Sequence, residues 1–337
     1  MAPIIEMRNV TKVFGGPIGS PKATVALDDF SFAVDSDFPH IITIAGESGS
    51  GKTTMMMLIL AFYEPSAGQI LYNGKDIWKK MSRQETMDYR RNVQAVFQDP
   101  FAVYNPFYKV DNLLSIPIKN FRLARTKDET QALMESALRR VGLRPEETLG
   151  RYPHQLSGGQ RQRIAVARAL ILQPRLLIAD EPVSMVDASL RATLLQHIRD
   201  MNQELRIPIL YITHDLTTAY HVSDYIVVLY RGGVMEAGDV ERVIRDPKHP
   251  YTQLLVNSIP WPDPNHLWGE AAEAKRAGTA VLAGCRFADR CPHAFDLCWK
   301  EKPELYRTNG SQVAACFLYQ SNDKLERKDL GTLFIKK

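Results

Sequence analysis

Ile41-Ile42-Thr43-Ile44-Ala45-Gly46-Glu47-Ser48-Gly49-Ser50-Gly51-Lys52-Thr53 runs from a short apolar stretch through a glycine-rich turn into a helix-forming segment, Lys52 to Ala61. Five apolar residues bounded by glycine read as a buried strand. The turn fits G-x-x-x-x-G-K-[ST], in the strand-to-helix context that a phosphate-binding loop requires. Glycines let backbone amides turn inward, and those amides with the helix N-terminus attract phosphate. Lys52 is placed to reach the β/γ-phosphates and Thr53 to offer its hydroxyl to Mg²⁺. The loop alone does not separate kinase, GTPase, helicase and transport ATPase, and a flexible Gly/Ser turn is its bland alternative.

Working outward, Val93 to Phe97, Leu176 to Ala179, Ile209 to Thr213 and Ile226 to Leu229 are further apolar runs alternating with helical stretches. That alternation predicts an α/β fold with a mostly parallel sheet. Asn73-Gly74 predicts an antiparallel hairpin around residues 69–77. Ser82 with Glu85, and Thr126 with Glu129, fit capping boxes that start two helices. Residues from about 108 to 170 hold no convincing strand and read as an inserted helical subdomain. Prolines at 247, 250, 260, 262, 264, 292 and 303 then break regular structure. The expected organisation is a nucleotide-binding domain over 1–246 and a small irregular extension over 247–337. The extension is read as a helix near 251–259, a linker near 260–280 and a four-cysteine module at 285–316.

The chain has 337 residues, 45% hydrophobic and 24% charged, which excludes a disordered chain. Its apolar runs fall far short of the ~20 residues a membrane span needs. Met1 to Val13 carries Glu6, Arg8 and Lys12 and lacks the apolar core of a secretory signal. A net charge of +4 is too mild to argue for nucleic acid.

Arg175 to Glu181 reads as a buried strand ending in two carboxylates, where ligands of a parallel sheet sit. Asp180 is then placed to hold Mg²⁺ through water and Glu181 to act as general base on an attacking water. In isolation the pair reads equally well as a helix cap or surface acids. Leu156-Ser157-Gly158-Gly159-Gln160 begins a helix, with Ser157 and Gln160 fitting a capping box. The cap explains the serine and glutamine but not the paired glycines, which weaken a helix start. Serine and bare glycine amides together suit a phosphate.

These stretches, in this order, resemble the motifs of ATP-binding cassette (ABC) ATPases over about residues 4–246. Gln98 resembles the Q-loop glutamine, Ser184 to Asp187 the D-loop with an unusual Met-Val centre, and His214 the switch histidine. The resemblance implies that Phe14, Gly46, Ser48, Gly49, Ser50, Gly51, Lys52, Thr53 and Thr54 bind ATP. It implies Mg²⁺ at Thr53, Gln98 and Asp180, and catalysis by Glu181 with Gln98 and His214. It further implies head-to-tail pairing of two cassettes, with Ser157, Gly158, Gly159 and Gln160 on the partner's ATP and Asp187 in the D-loop.

Lys248 to Leu255, Gly284 to His293 and Val313 to Cys316 resemble the tail of dipeptide and oligopeptide permease ATPases. That subfamily implies an importer ATPase at the cytoplasmic face of the inner membrane. Its partners would be a second, paralogous ATPase, two permease subunits and, indirectly, a solute-binding protein. Related solutes such as oligosaccharides stay open, as does a soluble ABC ATPase of DNA repair or translation. Phe97 to Pro106 resembles the subfamily's permease-facing loop but departs from its pattern at Ala102-Val103-Tyr104.

Cys285, Cys291, Cys298 and Cys316 are spaced C-x5-C-x6-C-x17-C, without the C-x2-C pairs of common zinc and ferredoxin sites. The spacing does not choose among zinc, a cluster and reduced packing thiols; the resemblance implies a [4Fe–4S] cluster. Arg286, Arg290, His293, Lys300 and Lys302 are expected to offset thiolate charge, and no contact to the nucleotide site is expected from this tail.

Overall fold

A computed structural model describes residues 2–16, 20, 22–79, 81–99, 104–184, 186, 188–259 and 283–334. The elements in chain order are β1 (Ile5–Phe14), β2 (Thr24–Val34), β3 (Ile41–Ala45), α1 (Lys52–Ile59), β4 (Ala67–Tyr72), β5 (Lys75–Asp76), α2 (Arg83–Asn92) and β6 (Val93–Val96). There follow α3 (Val110–Asn120), α4 (Lys127–Arg140), α5 (Pro145–Thr148), α6 (Gly158–Leu170), β7 (Leu176–Asp180), α7 (Ala188–Leu205), β8 (Ile209–Thr213), α8 (Leu216–Val222), β9 (Tyr225–Tyr230) and β10 (Gly233–Asp239). The chain continues with α9 (Val240–Arg245), α10 (Pro250–Asn257), α11 (Asp296–Lys300), β11 (Leu305–Asn309), β12 (Gln312–Ala314) and β13 (Lys324–Leu325). The α/β class with parallel and antiparallel strands is the one the sequence predicts. The linker expected near 260–280 lies outside the described residues, as do Ala102 and Val103.

The chain divides into two compact units, residues 1–34, 42–76 and 213–337, and residues 35–41 and 77–212. In the first, β2-β1-β4-β5 form an antiparallel sheet, and the Asn73-Gly74 turn joins β4 to β5 as expected. A second ladder runs β13-β11-β12-β10-β9-β3, parallel only between β9 and β3. Every residue of β3 and β9 is buried. Burial on both faces explains why these strands read as unbroken apolar runs rather than alternating ones. The extension enters this ladder directly: Ala237 of β10 pairs with Val313 of β12. Tyr230, Tyr251 and Phe287 cluster in tilted and edge-on contacts, with ring centroids 4.5 to 5.4 Å apart. Tyr251 and Phe287 are fully buried, each contributing on the order of 1.5–3 kcal/mol of hydrophobic stabilisation.

In the second unit β8, β7 and β6 lie side by side, all parallel. Its helical block α3 to α6 packs around Val110, Leu114, Ile118, Met134, Leu138 and Ile164. Both expected capping boxes, Ser82–Glu85 and Thr126–Glu129, are formed. Among the described residues no helix is long and apolar enough to cross a membrane.

Candidate active site

In the first unit, β3 delivers the chain into the glycine-rich turn and α1 carries it away. Gly46 has φ +149, and a Cβ there would lie 2.2 Å from the Leu229 carbonyl oxygen. Gly51, the residue before α1, has φ +111, and its Cβ would meet the Ala26 carbonyl oxygen at 2.5 Å. Both positions therefore demand glycine. Ser48, Gly49 and Thr53 are exposed, whereas Ser50 and Lys52 are buried. The Lys52 ammonium donates to the Gly46 carbonyl at 2.7 Å and the Glu47 carbonyl at 2.8 Å, spanning the turn. The Ser50 carbonyl accepts from Gly232 N–H at 2.8 Å, which ties the turn to the β9–β10 connection. The loop is thus a fixed ring of backbone with an outward-facing polar rim, as a phosphate cradle requires.

Phe14, at the end of β1, is exposed and stands edge-on to Tyr63, centroids 5.4 Å apart. The Lys12 ammonium lies 5.1 Å from the Phe14 ring centroid and 5.7 Å from that of Tyr63. Sequence reasoning missed Tyr63; no local signal marks it, because only the turn after α1 brings it to β1. His214, just beyond β8, is exposed, and Asp215 beside it caps α8 by accepting from Thr217 and Thr218 N–H.

In the second unit, β6 and β7 run parallel with Val96 opposite Ala179. Their carboxyl ends therefore place Gln98 and Glu181 together. Gln98 Nε2 donates to Glu181 Oε2 at 2.8 Å. Asp180, the last residue of β7, is buried. Glu181 turns the chain out of the strand at φ +44, with its N–H on the Ile212 carbonyl at 2.9 Å. Ser157 caps α6, its hydroxyl accepting from Gln160 N–H while Gln160 Oε1 accepts from Ser157 N–H. A Cβ on Gly159 would meet nothing within 4 Å, so packing of this chain does not require glycine there. Asp187 lies outside the described residues.

Cys285, Cys291, Cys298 and Cys316 line one small cavity and form no disulfide. Burial pushes the Cys285 thiol up to about 11 and the Cys316 thiol up to about 12, and raises that of Cys291. Opposing this, backbone N–H groups two residues on, at Phe287, His293 and Leu318, point to the sulfurs of Cys285, Cys291 and Cys316. Among the described residues no three His, Cys, Asp or Glu side chains gather as ligands of a single ion. Of the five cations expected to offset thiolates, His293 lines the same cavity, while three are engaged elsewhere. Arg286 and Lys302 pair with Asp28, and Arg290 with Glu47. The last contact brings the tail onto the phosphate loop, which the sequence reading did not anticipate.

The glycine-rich loop between β3 and α1 marks the chain as a P-loop nucleotide-binding protein. The family profile described as ABC transporter matches residues 27–184, and that described as oligopeptide/dipeptide transporter, C-terminal region, matches residues 235–298. The oligopeptide transport ATP-binding protein OppF of Haemophilus influenzae is 35% identical over 88% of this chain and 89% of its own length. AppF, an oligopeptide transport ATP-binding protein of Bacillus subtilis, is 36% identical over 94% of this chain and 97% of its own. Among solved structures, the dimeric post-hydrolysis state of the ATP-binding cassette MJ0796 with ADP and phosphate matches at TM-score 0.61 and 26% identity. That match covers 70% of this chain and 98% of the other. The chain belongs to the ABC transporter family and is an ATPase of that family.

Proposed function

We propose that this ATPase energises uptake of oligopeptides or dipeptides through a partner permease at the cytoplasmic face of the membrane. The carrying observation is the C-terminal match over 235–298, on a chain whose relatives are named for oligopeptide transport. In this reading Lys52 takes the phosphates, Thr53, Gln98 and Asp180 serve Mg²⁺, and Glu181 deprotonates the attacking water, with Gln98 and His214 as further catalytic residues. Phe14, joined by Tyr63, offers a ledge for the base. Ser157 to Gln160 act on the ATP of a second, paralogous cassette. The open space at Gly159 supports that, since nothing in its own chain needs the missing side chain. The cassette spans 1–246 and the extension 247–337. Growth on di- to hexapeptides as sole nitrogen source tests the reading. Deleting this ATPase should abolish it, wild-type protein should restore it, and Glu181→Gln should not. Unchanged peptide growth with lost uptake of another solute, such as an oligosaccharide, overturns the peptide assignment.

The four thiols fit an iron–sulfur cluster by donor type, common cavity and N–H groups aimed at sulfur. When bound, it would cross-link the extension. Iron and sulfide analysis of anaerobic protein tests this: one zinc equivalent, or no metal, overturns it.

A further inference from the structure

Glu47 is the second residue of the phosphate loop, and two residues of the C-terminal extension hold it. Arg290 grips its carboxylate with both ends of the guanidinium, Nη1 to Oε2 at 3.0 Å and Nη2 to Oε1 at 3.2 Å. The Tyr251 hydroxyl accepts the Glu47 backbone N–H at 2.9 Å. The carbonyl of the same residue carries the Lys52 ammonium. Arg290 is itself fixed, donating to the Tyr230 hydroxyl at 3.2 Å and lying 5.6 Å from the centroids of Tyr230 and Phe287. Two-pronged guanidinium–carboxylate pairing is directional as well as strong.

Arg290 immediately precedes Cys291, and Arg286 immediately follows Cys285. Arg286 pairs with Asp28 and donates to the Arg231 carbonyl, while Arg231 pairs with Asp289 at 2.9 Å. Asp28 N–H in turn bonds the Gly232 carbonyl, whose own N–H holds Ser50 of the phosphate loop. The segment between the first two cysteines therefore touches the loop directly at Glu47 and braces the strand connection behind Ser50.

We propose that residues 285–291 are a clamp on the phosphate loop. Arg290 and Tyr251 are its positioning residues, and they couple the four-thiol cavity to nucleotide affinity. Ordering the thiols fixes the segment's two ends, the fixed segment holds Glu47, and Glu47 holds the carbonyl that orients Lys52. Such coupling is reciprocal: what the clamp does for ATP, ATP does for the clamp.

The proposal rests on residues 46–53 being the ATP site, and titration of the full chain with a fluorescent ATP analogue and Mg²⁺ separates the two ideas. If wild type fails to bind, the site assignment falls; if it binds, the variants decide on the clamp. Arg290→Ala should weaken binding about tenfold, in the roughly 5–150-fold range of inter-site coupling. Arg290→Lys should recover only part, because an ammonium cannot bridge both carboxylate oxygens. Glu47→Gln removes the same pair from the other side, and combining it with Arg290→Ala should add little. Amide hydrogen exchange gives the reciprocal reading. ATP should slow exchange across 285–291 in wild type and not in Arg290→Ala. An Arg290→Ala affinity equal to wild type, or exchange at 285–291 indifferent to ATP, overturns the clamp.

Discussion

Gln98 Nε2 donates to Glu181 Oε2 at 2.8 Å, linking residues 83 positions apart at the ends of two parallel strands. The amide fixes the orientation of the Glu181 carboxylate by donating to one of its two oxygens.

Replacing Glu181 by glutamine keeps the shape and removes the carboxylate proposed as the base. ATP hydrolysis by the assembled transporter should fall about 10²–10⁴-fold, the usual cost of losing a general base, with ATP binding retained. Phosphate release and filter binding on one preparation check both halves, and near-normal turnover removes Glu181 from the mechanism.

Lys52→Ala deletes the ammonium that bridges the Gly46 and Glu47 carbonyls. If Lys52 takes the phosphates as proposed, nucleotide binding itself should weaken, because that contact forms before any chemistry begins. Equilibrium titration with ATP reads this directly, and an unchanged dissociation constant contradicts the phosphate role.

Ser157→Arg should leave ATP binding by the isolated chain near wild type and stop hydrolysis in the assembled transporter. A large loss of affinity in the isolated chain sinks the head-to-tail pairing. Ser157→Ala separates function from folding. It should cost only about 1 kcal/mol of helix stability, as loss of an N-cap does.

Glu236 on β10 is fully buried and accepts from Lys248 N–H, His249 N–H and Gln312 Nε2. Burial holds its carboxyl above the usual value, against the pull of these donors. Unfolded, it titrates near pH 4.3. The folded chain keeps the proton longer, so this contribution is complete below that pH and is lost as pH rises through the folded value. Glu236→Gln should flatten that decline in urea midpoints. It should also cost about 1–3 kcal/mol, because its NH₂ must face a donor.

The strands that read as unbroken apolar runs in the sequence include those buried on both faces, while the β4–β5 hairpin was legible from its Asn73-Gly74 turn. β3, β7 and β8 are buried at all five positions, so each reads as a short apolar run. β1 was not legible: Asn9 sits at φ +48, and register shifts beside it break any alternation of apolar and polar residues. Of the site, the phosphate loop, acid pair and capped Ser157 announce themselves, because each needs particular residue types within a few positions. Arg290 does not. Beside a cysteine it reads as a counter-charge to sulfur, and only the fold carries it to a carboxylate 243 positions away.

Because β12 lies against β10, with Glu236, Ala237 and Gly238 opposite Ala314, Val313 and Gln312, the extension satisfies backbone groups that would otherwise face water. A chain ended after residue 246 would bare that strand, and the side chains that now bury Phe287 and Tyr306 would be left uncovered. An open strand of this kind is a template for pairing with another copy. Covering that edge is a second consequence of the extension: without it the shortened cassette should form β-rich oligomers more readily than the whole chain, which light scattering would show.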